Sequence, residues 1–301
     1  ARHWRDWLLR AIAGDPDDLQ IMYGVAGERD LTELIVDHLP GYRDSKPVRI
    51  GNGAHVQYQA DVIGEVMIAL DQLRAAGIGE DDSSWQLQVN LLDFLGKRLD
   101  LPDHSIWETR ASPHFFTHSR AMMWAAFDCG VRAVEEFGYP GPIDHWRQHR
   151  AELHDEIWAR GVRGGAFVQH YDTDAVDAAL LQIPNTGFVA RDSEVMLATV
   201  ERIEHELVDA HGFVRRYIPD GSDGLAGGEG SFLMCTFWLV EQYARSGRRE
   251  DAIRLMDQLL GVRNDLGLLA EEYDSDAGAL LGNFPQAFSH LALIRAAQAL
   301  S

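Results

Sequence analysis

Phe232-Leu233-Met234-Cys235-Thr236-Phe237-Trp238-Leu239-Val240 is apolar on every side of the helix it would form. A helix with no polar side needs protein all round it. The next helical stretch, 248–260, reads differently: Ala252, Ile253, Met256, Leu259 and Leu260 make one apolar stripe, and the opposite face is charged. Buried and half-exposed helices therefore alternate, which an inner ring of helices enclosed by an outer ring satisfies economically. The expectation is an all-α fold, a two-layer helical barrel.

Outward from that pair, helical spacing recurs through most of the chain, as in Val62, Val66, Leu70 and Leu73. It predicts helices over 2–13, 56–76, 84–97, 116–137, 142–160, 172–182, 192–209, 230–246, 248–260 and 285–300. Gly77, Gly138 and Gly161 stand where helices should stop, Pro142 suits a first turn, and Asp192 and Ser193 are good caps. The connections 38–55, 100–115, 212–230 and 264–284 are long and rich in Gly, Asp and aromatic residues, as functional loops are. With no short repeat and no Pro/Gly/Ser linker, residues 1–301 read as one domain, a size that closed barrels reach.

Composition excludes several classes of function. The 47 acidic residues outnumber the 27 basic ones, giving a net charge of −20 that repels nucleic-acid backbones and anionic membranes. No run is long and apolar enough for a membrane span or a signal peptide, and a cytoplasmic location is expected. Cys129 and Cys235 lie in apolar stretches and read as buried thiols, without a disulfide framework or zinc site.

Common catalytic strings are absent: there is no GxxxxGK[ST], GxSxG, HExxH or CxxC. The glycine cluster Gly224–Gly230 follows no strand and reads as a loop entering a helix, and Asp15-Pro16-Asp17-Asp18 imitates a terpene-cyclase DxDD string but reads as a surface turn. His114 and His118 are four apart, yet two histidines alone do not make a metal site, and no metal ligand is assigned. What remains is two carboxylate loops. Trp107-Glu108-Thr109-Arg110 sets a glutamate between an indole and a guanidinium, and Glu271-Glu272-Tyr273-Asp274 places acidic groups in a second aromatic loop. Burial would raise the pKa of Glu108 and Arg110 would lower it. Each carboxylate alone is equally compatible with a solvated salt bridge.

Taken with their neighbours, these strings resemble the catalytic barrel of glycoside hydrolase family 15, which includes glucoamylases, glucodextranases and bacterial trehalase-like enzymes. The pieces are Pro47-Val48-Arg49-Ile50-Gly51-Asn52, Asp61-Val62-Ile63-Gly64-Glu65-Val66, Ile106-Trp107-Glu108, Phe116-Thr117-His118-Ser119, Phe167-Val168-Gln169-His170-Tyr171, Arg216-Tyr217, Gly228-Glu229-Gly230-Ser231-Phe232-Leu233, Glu271-Glu272-Tyr273-Asp274 and Gly282-Asn283-Phe284-Pro285-Gln286-Ala287-Phe288. Their order runs through nearly the whole chain.

The resemblance implies an (α/α)6 barrel, here without the first helix and the β-sandwich domain that precede it in the family. It implies an inverting, exo-acting α-glucoside hydrolase with Glu108 as general acid and Glu271 as general base, Glu272 being the alternative base. Trp107 would wall the acid, Arg216 and Tyr217 would hold sugar hydroxyls, and Phe232 and Phe288 fall where relatives carry aromatic residues near the pocket. Arg49, Asn52 and Glu229 lie in matching loops, either shaping the pocket or serving as structural polar groups; Arg120 replaces a lysine found in many relatives. The 21–29 and 137–146 runs look most like the trehalase-like branch, so trehalose is the first substrate, with maltose-type and isomaltose-type oligosaccharides as the alternative. The sequence requires no cofactor, although phosphate and Mg2+ dependence come with that branch; the expected partner is a small α-glucoside, and a homo-oligomer is compatible. The competing class is a non-catalytic sugar-binding helical toroid.

Overall fold

A computed structural model of the protein describes residues 2–12, 19–218 and 229–301. The Asp15-Pro16-Asp17-Asp18 string and the glycines from Gly224 to Gly228 lie outside the described residues. Two compact units make up the chain, one from residues 1–114 and 122–153, the other from 115–121 and 154–301.

The first unit opens with α1 (Arg2–Ile12). A two-stranded antiparallel ribbon follows, β1 (Leu34–Ile35) with β2 (Arg49–Ile50), then α2 (Asp61–Ala75) and α3 (Asp82–Gly96). Two longer helices, α4 (Thr117–Phe137) and α5 (Ile143–Arg160), contribute residues to both units. Ile63, Met67 and Leu70 of α2, Leu91, Leu92 and Leu95 of α3, and Met123 and Phe127 of α4 form the core of the first unit. Each is fully buried, a gain of roughly 1.5–3 kcal/mol per large side chain over leaving it in water. Asp81 caps α3, its carboxylate accepting from the Ser84 N–H at 2.8 Å. Gly77 and Gly138 follow α2 and α4 with φ of 74° and 73°, the left-handed stop expected of them.

In the second unit a short hairpin, β3 (Val162–Arg163) with β4 (Ala166–Phe167), precedes α6 (Glu194–Glu206). After it come β5 (Ser231–Phe232), α7 (Leu233–Arg245), α8 (Arg249–Gly261), β6 (Glu272–Asp274), β7 (Ala279–Leu281) and α9 (Ala287–Leu300). The all-round apolar stretch is α7: Leu233, Cys235, Phe237, Leu239 and Val240 are buried, and the helix packs against both α8 and α9. By contrast α8 buries only Ala252, Met256 and Leu259. The predicted contrast between buried and half-exposed helices is therefore present.

Two expected helices differ. Residues 172–182 were predicted as helix from their apolar run, but the element is a 3-10 helix, Ala178–Thr186, capped by Asp177, interrupted by Pro184 and closed by Gly187 at φ 82°. Proline offers no N–H to an α-helical ladder, and the tighter winding tolerates the run only briefly. The predicted helix over 56–76 starts later, at Asp61, because Asn52 caps a separate 3-10 turn over Gly53–Val56. Among the described residues, no helix is long and apolar enough to cross a membrane.

Candidate active site

Glu108 belongs to the first unit, in a loop closed at its base by the Asp103–His114 bridge, with N···O distances of 2.9 and 3.0 Å. The buried Asp103 carboxylate accepts from the Ala60 N–H at 3.0 Å, tying the loop to the start of α2. Inside the loop, Ser105 and Glu108 adopt φ of 62° and 53°, a left-handed conformation that costs a non-glycine residue about 1–2 kcal/mol. Neighbours hold that turn: Gln57 Nε2 donates to the carbonyls of Thr109 at 3.0 Å and Glu108 at 3.4 Å. Trp107 is buried beside it in sequence.

The Glu108 carboxylate accepts from Asn52 Nδ2 at 3.0 Å. Asn52 Oδ1 is already taken by the Ala54 N–H at 2.9 Å, so the amide can point only its donor at Glu108. Arg110, the cation expected to act on Glu108, is committed elsewhere: its Nη2 lies 3.1 Å from Glu33 Oε2. Arg49 Nε pairs with the same carboxylate at 3.3 Å. Glu33, which carried no motif, is therefore the residue that organises both arginines.

Glu271 belongs to the second unit, immediately before the central strand of the antiparallel sheet β5-β6-β7. Its carbonyl accepts from the Leu233 N–H and its own N–H donates to the Asn283 carbonyl, both at 3.0 Å, fixing the backbone between α7 and the β7–α9 loop. Oε2 accepts from the Asn283 N–H at 3.0 Å and from Asn283 Nδ2 at 3.1 Å, and Oε1 from Gln286 Nε2 at 3.3 Å. All three donors are neutral, so they set the direction of the carboxylate. Asn283 and Gln286 were not among the expected site residues, although the string Gly282-Asn283-Phe284-Pro285-Gln286 holds both. Phe288, in the first turn of α9, is 63% exposed, with its N–H donating to Gln286 Oε1.

The Arg216 guanidinium forms a two-bonded pair with Glu229, Nε to Oε2 at 2.8 Å and Nη2 to Oε1. It lies over the rings of Tyr217 at 4.6 Å and Phe232 at 4.9 Å. Four expected residues, Arg216, Tyr217, Glu229 and Phe232, thus form one cluster. Glu272 adjoins it, accepting from the Gly230 N–H at 2.9 Å. Burial first and the Glu229 charge second push the Glu272 carboxyl up to about 7, against the Gly230 hydrogen bond and Arg216.

Asp209 joins the sheet to the loop after α6. Its carboxylate accepts from the N–H groups of His211 and Phe213, from Ser231 Oγ at 3.1 Å and from Ser275 Oγ at 2.9 Å. Burial pulls its pKa up, and these four hydrogen bonds overcome burial and leave it below the ordinary carboxylate value. A depressed folded-state pKa contributes stability above the unfolded value, near 4, that is lost as pH falls through the folded value. Asp209→Asn, which turns an acceptor into a donor facing donors, is expected to lower the Tm by about 2–4 °C at pH 7. The gap from wild type should close as pH falls through the depressed folded-state value, in melts followed by circular dichroism; a gap constant with pH would show that the charge is irrelevant.

Other titratable groups are set aside by burial, which takes His118 down to about 4 and Cys129 up to about 12, while Cys235 also rises well above the usual thiol range. The two cysteines are free and buried, as expected.

A model of "Glycosyl hydrolases family 15" matches residues 1–298. The chain belongs to glycosyl hydrolase family 15. Trehalase of Thermoplasma volcanium is 39% identical to it over 94% of this chain and 45% of the relative, and trehalase of Mycolicibacterium smegmatis 41% over 94% and 42%. The chain thus spans less than half the length of these relatives. Among solved structures, a glycosidase in complex with glucose matches at TM-score 0.74 and 20% identity, covering 98% of this chain and 81% of that one. A bacterial glucoamylase complexed with acarbose matches at TM-score 0.69 and 13% identity, covering 98% and 45%. The family's helical-barrel fold class agrees with the alternation read from α7 and α8.

Proposed function

We propose that the full-length protein is an inverting, exo-acting α-glucoside hydrolase that releases glucose from trehalose, with Glu108 as general acid and Glu271 as general base. The observation that carries the reading is the 39–41% identity to two trehalases over 94% of the chain, a span that includes both glutamates' loops. Fold likeness alone would leave the substrate open.

In this mechanism Glu108, protonated, donates to the glycosidic oxygen as the bond to C1 breaks. Glu271, ionised, takes a proton from a water that attacks C1 from the opposite face, so configuration inverts. Asn283 and Gln286 hold the Glu271 carboxylate in direction, and Asn52 does the same for Glu108. The pair of Arg216 and Glu229 offers charged hydrogen-bonding edges to sugar hydroxyls, with Tyr217 beneath the guanidinium.

The test is glucose release from trehalose, maltose and isomaltose by the full-length protein, with NMR of the first anomer formed. Trehalose cleaved fastest, with β-glucose appearing first from the attacked ring, is the expected result. Preference for maltose or isomaltose would move the assignment to a glucoamylase or glucodextranase type, and binding without hydrolysis would make the protein a sugar-binding toroid. Repeating the assay with chelator, and with phosphate removed, tests the magnesium and phosphate dependence expected from the trehalase branch.

A further inference from the structure

Three carboxylates, Glu229, Glu271 and Glu272, gather where one guanidinium, Arg216, is the cation acting on Glu272. Arg216 spends two of its donors on Glu229. Glu272 sits on β6 directly across from Phe232 of β5, the ring that Arg216 overlies. Its Oε2 is held by the Gly230 N–H, and a Cβ on Gly230 would come within 3.1 Å of that oxygen, so the carboxyl is confined against the chain that carries Glu229. Ionised, all three carboxylates would leave this corner with an excess of two negative charges, and Glu272 would compete with Glu229 for Arg216.

We propose that Glu272 is a positioning residue whose carboxyl must keep its proton for the site to bind sugar, because only then does Arg216 stay seated on Glu229. The inference rests on the hydrolase reading, with Glu271 as base and Arg216 as a sugar-holding group. The direction of the Glu272 shift agrees with it. Among the described residues, Glu229 from the approach to β5, Arg216 from its loop and Glu271 from its own segment act on Glu272, Tyr217 acts on Arg216, and Tyr273 and Asp274 follow Glu272 along β6. Neither β5 (Ser231–Phe232) nor β7 (Ala279–Leu281) brings a charged or titratable group. Loss of the proton therefore adds a charge that no new cation answers, and the adjustment falls on Arg216.

The experiment is KM and kcat of the full-length protein for its best disaccharide between pH 6 and 8. With a carboxyl titrating near pH 7, the binding-competent fraction falls from about 0.9 to about 0.1 over that range, so wild-type KM should rise about tenfold. Glu272→Gln keeps an acceptor for the Gly230 N–H but cannot ionise, and its KM should be flat across the same range. Glu229→Gln removes the neighbouring charge and takes one of the two acceptors that seat Arg216, so KM should be higher at every pH and its rise should fall about one pH unit lower, which reads out the coupling even where Glu272→Gln folds poorly. A wild-type KM that ignores pH, a Glu272→Gln variant that keeps the rise, or a Glu229→Gln variant that leaves it in place overturns the proposal. Loss of kcat at every pH in Glu272→Gln, with Glu271→Gln active, would instead make Glu272 the base. A wild-type protein that hydrolyses none of the disaccharides sinks the hydrolase reading itself, a result distinct from an active enzyme whose KM ignores pH.

Discussion

Replacing either carboxylate by its amide is expected to remove about 100- to 10,000-fold from kcat on trehalose, the usual contribution of a positioned acid or base. The two variants should part company on α-glucosyl fluoride. Fluoride leaves without help from a proton donor, so Glu108→Gln should recover most of its lost rate on that substrate. Glu271→Gln should recover none, because the water still needs its base. Both amides keep the main contacts. Gln at 108 still offers an oxygen to Asn52 Nδ2, and Gln at 271 still offers one to the paired donors of Asn283, while its new amide nitrogen requires the Gln286 amide to turn. Loss of rate in a folded variant therefore reports chemistry. Equal rescue of both variants by the fluoride would remove the distinction between acid and base, and wild-type rates in either would dismiss that residue.

The same two loops show how far residues reveal a site before coordinates do. The strings that carry Glu108 and Glu271 stand out in the sequence through their resemblance to the family's strings, since each carboxylate alone reads equally as a solvated salt bridge. Their partners do not, because hydrogen bonds join positions far apart: Asn52 reaches Glu108 across 56 residues, and Arg110 turns to Glu33 across 77. Arg110 is instructive, since adjacency in sequence suggested an action on Glu108 that the ion pair with Glu33 redirects. Periodicity read α7 and α8 correctly, for a helix of 13 residues shows its burial pattern over three turns or more. It was blind to β5, β6 and β7, which are two or three residues long and too short to display a period of two. Yet β6 is the strand that presents Glu272 and follows Glu271. The 3-10 helix Ala178–Thr186 failed for a related reason, as an apolar run of that length does not distinguish one winding from another.

Gly282→Ala should cost about 100-fold in kcat while leaving the protein folded, the penalty of moving a catalytic group by about 1 Å. A Cβ at Gly282 would stand 2.6 Å from Glu271 Oε2, closer than real methyl groups approach, and 3.0 Å from Glu271 Cβ, a tight contact. Gly282 follows β7 with φ 72°, and the next carbonyl, that of Asn283, is held by the Glu271 N–H at 3.0 Å, so the flexible carboxylate end is the group that moves. Movement would break the bonds from the Asn283 N–H and Nδ2, the two donors that aim Oε2. Backbone strain alone, about 1–2 kcal/mol for a left-handed alanine, has to be separated from that displacement. Gly278→Ala separates them: it lies in the same hairpin at φ 63°, and its nearest neighbour would be Tyr273 Oη at 3.8 Å. The control should lose a little Tm and keep its kcat, whereas Gly282→Ala should lose kcat out of proportion to its Tm. Equal losses of kcat in the two variants would mean that hairpin strain, and not the seat of Glu271, controls the rate.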